Sequence, residues 1–315
     1  LVEAAVIRRL TLEDSFFNKL IQILPEERIK LKEPMTNHTS LHIGGEADYL
    51  VLPVSTEEVR AILSMCKQEE MPYYIMGNGS NLLVSDLGYR GLIVKLGEDF
   101  SNILFGENGM VTAQAGVLLS KLASVIAEHS LTGFEFASGI PGTLGGAVTM
   151  NAGAYDGEMK HCLVGAKVLD EEGNILVLNA EELKLGYRHS ILQERDYILL
   201  EADMKFSAGE ETEIRQKMKE LNARRREKQP LEQYSAGSTF KRPQGYFAGK
   251  LISDAGLRGY QVGGAAVSEK HCGFLINKEN ATAKEFLTLV ADVVRIVEEK
   301  YGVRLEPEVK FLGKF

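Results

Sequence analysis

Residues 137–154 read ASGIPGTLGGAVTMNAGA. They lie inside an uncharged run from Phe136 to Tyr155 that holds Pro141 and the glycines Gly139, Gly142, Gly145, Gly146 and Gly153. A membrane helix needs about 20 predominantly apolar residues without such punctuation, so the run reads as a backbone-rich loop and not as a span. Glycines without charge let the main chain come close to a ligand. A buried connection between sheets has the same composition, and this stretch alone does not separate the two. A second loop of the kind lies upstream, at Gly77-Asn78-Gly79-Ser80-Asn81. Consecutive backbone N–H groups in such a loop form a nest for an anion. It is not a dinucleotide fingerprint, because Leu82 stands where the third glycine would be. Read alone it is an ordinary turn. Two such loops, separated by a strand and a helix, suit a large diphosphate ligand that needs backbone contacts along its length.

The surrounding pattern places both loops. Ala47 to Val54 reads as a strand, Ser55 and Glu58 as a capping box opening a helix to about Glu70, and Pro72 to Met76 as the next strand. This βαβ unit runs straight into the first loop. Leu92 to Leu96 is a further short strand, Val111 to Ala115 another, and Leu118 to His129 an amphipathic helix. Beyond the second loop, Cys162 to Asp170, Ile175 to Leu178 and Tyr197 to Phe206 read as strands of a more antiparallel sheet, with Glu172-Gly173-Asn174 as a hairpin turn. Around Gly209 the pattern changes. Glu211 to Lys228 is a charged helix stopped by Pro230, and a third block runs to about Glu306. Its helix opens on the capping box Thr282 to Glu285 and carries the stripe Phe286, Leu289, Val290, Val293 and Val297. At the other end, Phe16, Phe17, Leu20, Ile21 and Leu24 recur at helical spacing, while Glu3, Arg8, Arg9, Glu13 and Asp14 do not resemble a signal peptide.

Composition narrows the partners. Apolar residues are 44% and charged residues 25% of the chain, as in ordinary globular proteins. The net charge of −8 argues against nucleic acid, whereas a small anion needs only a local basic patch. Cys66, Cys162 and Cys272 are odd in number and far apart, which fits a reduced cytoplasmic protein and no disulfide framework. The six histidines show no HExxH-type spacing, so no metal site is expected.

Two polar clusters stay ambiguous from residues alone. Ser238, in AGSTFKRP, is not in a GxSxG elbow and reads as a turn serine. The run Arg224-Arg225-Arg226-Glu227-Lys228 is either a helix end whose cations complement the macrodipole or a fork for a diphosphate.

Taken together, GNGSNLLV, GIPGTLGGAVTMNAGAY, YRHSIL, KQPLEQYSAGSTFKRPQGYFAGKLISDAGLRG, GGAAVSEKHCGFLINK and LEPEVKFLG resemble the UDP-N-acetylenolpyruvoylglucosamine reductase family, in order from about Leu31 to Leu312. The resemblance implies an α+β protein: an FAD-binding fold of the vanillyl-alcohol-oxidase (PCMH) type in two subdomains, residues 1–95 with 306–315 returning to the first and 96–208, then a smaller α+β substrate-binding domain at 209–305. It implies FAD held by Gly77, Asn78, Gly79, Ser80, Asn81, Leu82, Gly139, Pro141, Gly142, Thr143, Gly145, Gly146, Asn151, Gly153 and Arg225. NADPH is the implied hydride donor and UDP-N-acetylglucosamine enolpyruvate the implied substrate, bound near Tyr187, Lys228, Arg242 and His271. Catalysis maps onto Ser238, Arg188 and Glu308. A hydride from flavin N5 would reach the methylene carbon and Ser238 would deliver the proton. Arg188 would steady the charge that develops on the neighbouring carbon and carboxylate. Glu308 helps only as a donor, which calls for a raised pKa.

Some family members carry an extra loop with a tyrosine that folds over substrate. Only about fifty residues separate Arg188 from Ser238, so this chain resembles the shorter members without it. A cytoplasmic monomer, free of membrane and nucleic acid, is the corresponding expectation. An oxidase on the same fold is the main rival, since fold does not fix reaction. Some such enzymes tether FAD through histidine or cysteine, and neither glycine loop contains one. The expected outcome is that acid precipitation releases all flavin into the supernatant; colour retained in the pellet would contradict non-covalent binding.

Overall fold

The computed structural model describes residues 15–315; the charged residues Glu3, Arg8, Arg9, Glu13 and Asp14 lie outside that range. The described part of the N-terminal amphipathic segment forms α1 (Ser15–Leu20), whose Phe16, Phe17 and Leu20 are buried.

The first sheet contains β1 (Ile29–Pro34) and β2 (Glu46–Val51), followed by α2 (Thr56–Gln68) and β3 (Tyr73–Met76). After the first glycine loop come β4 (Leu82–Val84) and β5 (Tyr89–Lys95). The strand order is β1-β2-β5-β3, with β2 and β3 both parallel to β5. The expected βαβ unit is therefore present, with a third strand inserted between its two. Ser55 caps α2 by accepting the Glu58 N–H at 3.2 Å. The expected return bond of a capping box is replaced: the Glu58 carboxylate accepts from the Val54 N–H and from both terminal nitrogens of Arg28, each at 2.7 Å. A bidentate guanidinium outcompetes a single amide for the same oxygens.

The second sheet is antiparallel throughout. Its strands are β6 (Ile103–Phe105), β7 (Met110–Gln114), β8 (Leu163–Leu169), β9 (Ile175–Asn179) and β10 (Ile198–Lys205), in the order β9-β8-β10-β7-β6. The helix α3 (Leu119–Glu128) follows β7 and buries Leu119, Leu122, Ala123, Ile126 and Ala127. The stretch at 136–155 departs from the pure loop read from its composition. It contains a short helix, α4 (Leu144–Thr149), whose Leu144, Ala147 and Val148 are buried. Burial of that apolar face outweighs the low helix propensity of Gly145 and Gly146. A further one-turn helix, α5 (Ile191–Glu194), precedes β10.

The third block begins with α6 (Glu211–Lys228) and continues through β11 (Tyr234–Ser235), α7 (Ala248–Asp254), β12 (Gln261–Val262), β13 (Ala265–Val267) and β14 (Leu275–Asn277), the four strands forming a small antiparallel sheet. It ends with α8 (Ala283–Tyr301), whose capping box from Thr282 to Glu285 is complete and whose expected stripe is buried. Its core takes in Leu41, Ile43 and Leu83 from the first block. The chain then returns: β15 (Lys310–Leu312) pairs in parallel with β4. Asp86, just past β4, adds a second tie by accepting from the N–H groups of Ala283 at 2.7 Å and Lys284 at 3.0 Å. It thus caps the first turn of α8 from another block, where its charge also meets the positive end of the helix dipole. Among the described residues no helix is long and apolar enough to cross a membrane. Asp86→Ala should cost about 1–2 kcal/mol, read as a fall of a few degrees in thermal unfolding, with Lys284→Ala as the unaffected control.

Candidate active site

The two glycine loops meet along one seam. The Asn78 side-chain amide donates to the Pro141 carbonyl at 2.7 Å. A Cβ on Gly77 would stand 2.0 Å from the Thr143 hydroxyl oxygen, and one on Gly142 would touch the Ser80 hydroxyl at 3.5 Å. Gly77 is required for this approach; any side chain would drive the loops apart. Among the described residues, the backbone N–H groups of Asn78, Gly79, Ser80, Asn81, Gly142 and Thr143 find no acceptor in the protein. Such a row of free donors suits a diphosphate. Gly146 is exposed, with open space around the position its Cβ would occupy. Leu82 is buried in the core of the first block, so only its backbone is offered here.

Arg225 resolves the ambiguity of the basic run. It is 8% exposed, donates to the Gly139 carbonyl and lies 6.0 Å from the Tyr155 ring. Burial lowers its pKa, against a smaller opposing pull from Tyr155. No carboxylate pairs with it among the described residues. An unpaired buried cation is costly and favours a nearby anion. Donors, open space and cation together fit an FAD diphosphate. Asn151, by contrast, is wholly buried and spends its amide internally: it donates to Glu158 at 2.8 Å and to the Gly186 carbonyl at 2.9 Å, and accepts from the Lys160 N–H at 2.9 Å. Gly153 packs against Gly157 and Glu158, also away from the seam.

A separate cleft of about 460 Å³ holds Ser238, Arg188 and Glu308 together, with Tyr187, Arg242 and His271 on its walls. Three remote segments supply them. Arg188 sits at the tip of a turn closed by Gly186 N–H to the His189 carbonyl at 3.0 Å, with φ of 54°. That left-handed backbone is strained for a non-glycine residue, and such strain collects at functional sites. Its Nε donates to the Glu308 carboxylate at 2.8 Å, and its guanidinium lies 5.2 Å from the Tyr187 ring. The Tyr187 hydroxyl accepts from the Arg242 N–H at 2.9 Å.

Thr239 fixes Ser238 and Glu308 relative to each other. Buried to 1% exposure, it donates its N–H to the Gly273 carbonyl at 2.9 Å, its carbonyl accepts the Glu308 N–H at 2.8 Å, and its hydroxyl accepts from the Leu275 N–H at 3.0 Å. Asn81, from the first glycine loop, donates to the Glu308 carbonyl at 3.1 Å. The Ser238 side chain is exposed to the cleft. Burial raises the Glu308 pKa, while Arg188, Lys241 and Lys310 pull it down. Burial also lowers the His271 pKa, which favours a neutral ring whose Nδ1 accepts the Gly273 N–H at 3.1 Å.

Lys228 does not line this cleft; it is exposed at the end of α6. The cations that do line it include Lys250, Arg258 and Lys270, none of which stood out in sequence. They sit on α7 and on two separate loops, and only packing assembles them. Phe247, 59% exposed with the Arg242 guanidinium 3.9 Å from its ring, was likewise not evident.

Comparison with known proteins follows the same division. Residues 47–179 match the FAD binding domain family, which together with the chain's reductase relatives makes it a flavin-dependent oxidoreductase. Residues 229–312 match the C-terminal domain of UDP-N-acetylenolpyruvoylglucosamine reductase. The reductase of that name from Lachnoclostridium phytofermentans is 55% identical over 94% of this chain and 96% of its own. Its counterpart from Caldanaerobacter subterraneus subsp. tengcongensis is 54% identical over 94% and 98%. The crystal structure of the Thermus caldophilus reductase superposes with a TM-score of 0.75 at 35% identity, covering 90% of this chain and 98% of that one. The chain belongs to the UDP-N-acetylenolpyruvoylglucosamine reductase family.

Because a cation stabilises the ionised carboxylate, removing it leaves the burial effect less opposed. In Arg188→Met the Glu308 pKa should move further upward, as followed by carbon NMR of the labelled carboxyl across a pH titration; an unchanged or lower value would contradict the assigned balance.

Proposed function

We propose that this chain reduces the enolpyruvyl group of UDP-N-acetylglucosamine enolpyruvate to UDP-N-acetylmuramate with NADPH, a step of peptidoglycan precursor synthesis, acting as a cytoplasmic monomer. The observation that carries the reading is the part-buried Glu308–Arg188 pair sharing one cleft with the exposed Ser238. The glycine seam and Arg225 would hold FAD, which would supply hydride chemistry with NADPH as the source of the reducing equivalents.

The residues perform the rest. Arg188 places paired donors where negative charge grows on the substrate carboxylate. Glu308 adds to this only while it carries a proton, and burial favours that form. Ser238 delivers the proton to the carbon left anionic by hydride addition. Serine is a weak acid, but an enolate-like carbon is basic enough for the transfer to run downhill. Arg242, Lys250, Arg258 and Lys270 supply the positive field for the diphosphate, and neutral His271 can offer its Nε2 to a sugar hydroxyl. Lys228 is better placed to steer the anionic ligand than to touch it. The seam residues Gly77 to Leu82, Gly139 to Gly146 and Arg225 hold the cofactor, while Asn151 and Gly153 shape the stretch that follows.

In Ser238→Ala, NADPH should bleach the flavin at the parental rate, while reoxidation by the enolpyruvyl substrate slows by about 10²–10⁴-fold, the usual weight of general acid catalysis. Stopped-flow absorbance separates the two half-reactions. Equal slowing of both would remove Ser238 from the proton-donor role.

A further inference from the structure

The strained turn that presents Arg188 needs something to hold it, and the carbonyl of Arg188 leads to a residue outside the cleft. Gln193, on α5, donates its Nε2 to that carbonyl at 3.2 Å and to the Thr149 carbonyl at 2.9 Å. Thr149 ends α4, the helix formed by the second glycine stretch, and a helix end leaves its last carbonyls needing donors. The same carbonyl accepts from the buried Ser190 hydroxyl at 2.6 Å. On its other side, Gln193 accepts from Lys310 Nζ at 3.2 Å through Oε1. Lys310 opens β15, two residues beyond Glu308. One amide therefore touches the glycine stretch, the backbone of Arg188 and the strand that follows Glu308. Its two donors and its acceptor are all used, and the three partners come from segments that meet only in the folded protein.

We infer that Gln193 is a positioning residue that locks the Arg188–Glu308 pair to the cofactor-binding helix α4. This rests on the reaction proposed above. Gln193 touches neither the cleft nor the glycine seam, so it acts through Arg188. A glutamine suits the place because it alone offers two N–H donors and an oxygen acceptor at that length without charge. Catalytic groups displaced by about 1 Å can cost up to about 10²-fold in rate, so a flexible tether here is costly to the substrate half-reaction. Reduction of the flavin by NADPH does not call on Arg188 or Glu308 and should not respond.

The test is Gln193→Met, similar in length with no hydrogen bonds, examined as the FAD-loaded protein. Substrate-driven reoxidation of the flavin should slow about 10- to 100-fold, with flavin content and reduction by NADPH as in the parent. Independently of turnover, the Arg188 Nε–H resonance in nitrogen-15 NMR should shift or broaden, because its partner geometry is no longer fixed. Should Gln193→Met fold poorly, Gln193→Glu keeps the acceptor for Lys310 but cannot donate to either carbonyl, and the same two readouts apply. Unchanged reoxidation with an unmoved resonance overturns the inference. So does equal slowing of both half-reactions, which marks a general structural defect. A parent protein that never reoxidises with the enolpyruvyl substrate would sink the proposed reaction instead, and the NMR comparison would still decide the positioning role.

Discussion

The Arg188–Glu308 contact, 2.8 Å across a separation of 120 residues, is the constraint on which the rest of the site depends. It joins a strained turn between β9 and β10 of the second sheet to a segment that has passed through the whole third block and come back. For that contact to exist, β15 must pair with β4 and place Glu308 beside the first glycine loop. A largely buried ion pair gains little net stability, because desolvation offsets much of the attraction. What it fixes is register: the carboxylate has one partner and the guanidinium one direction. Burial and the neighbouring cations then pull the Glu308 proton in opposite senses, leaving a group that can take either form as charge changes nearby.

The proposed flavin side is organised on the opposite principle. There the backbone would supply the contacts, and side chains matter by being absent or by staying out of the way. A Cβ on Gly77 would collide with Thr143, and the N–H groups around it are left unpaired among the described residues. Arg225 brings a buried positive charge to the same seam, and among the described residues no carboxylate pairs with it. Tyr155 and the Gly139 carbonyl satisfy the guanidinium only in part, which preserves its pull on an anionic ligand.

Much of this was legible beforehand where the signal is local. The helix at 211–228, the Thr282–Glu285 capping box and the stripe down α8 follow from periodicity and cap chemistry, and they form as read. The short helix inside the glycine-rich stretch did not, because its stability comes from burial of Leu144, Ala147 and Val148 and not from its own propensity. Ser238 reads as a turn residue in every local respect. Only the ordered resemblance to a family singled it out, and only the packing of Thr239 explains how it is held against Glu308. Lys250, Arg258 and Lys270 carried no pattern at all, and no spacing rule gathers cations from a helix and two loops.

By itself the sequence determined the parts that depend on neighbours along the chain: the elements, the two glycine loops, the absence of a nucleic-acid-like charge, and the family. Tertiary structure decided which of those residues share a space. It brought Arg188, Ser238 and Glu308 to one cleft, moved Lys228 outside it, and turned Asn151 inward as a bracket. The physical reason is that burial, strain and ion pairing are set by contacts between segments far apart in the chain. A left-handed arginine at the tip of a turn looks like any other arginine until its partners arrive.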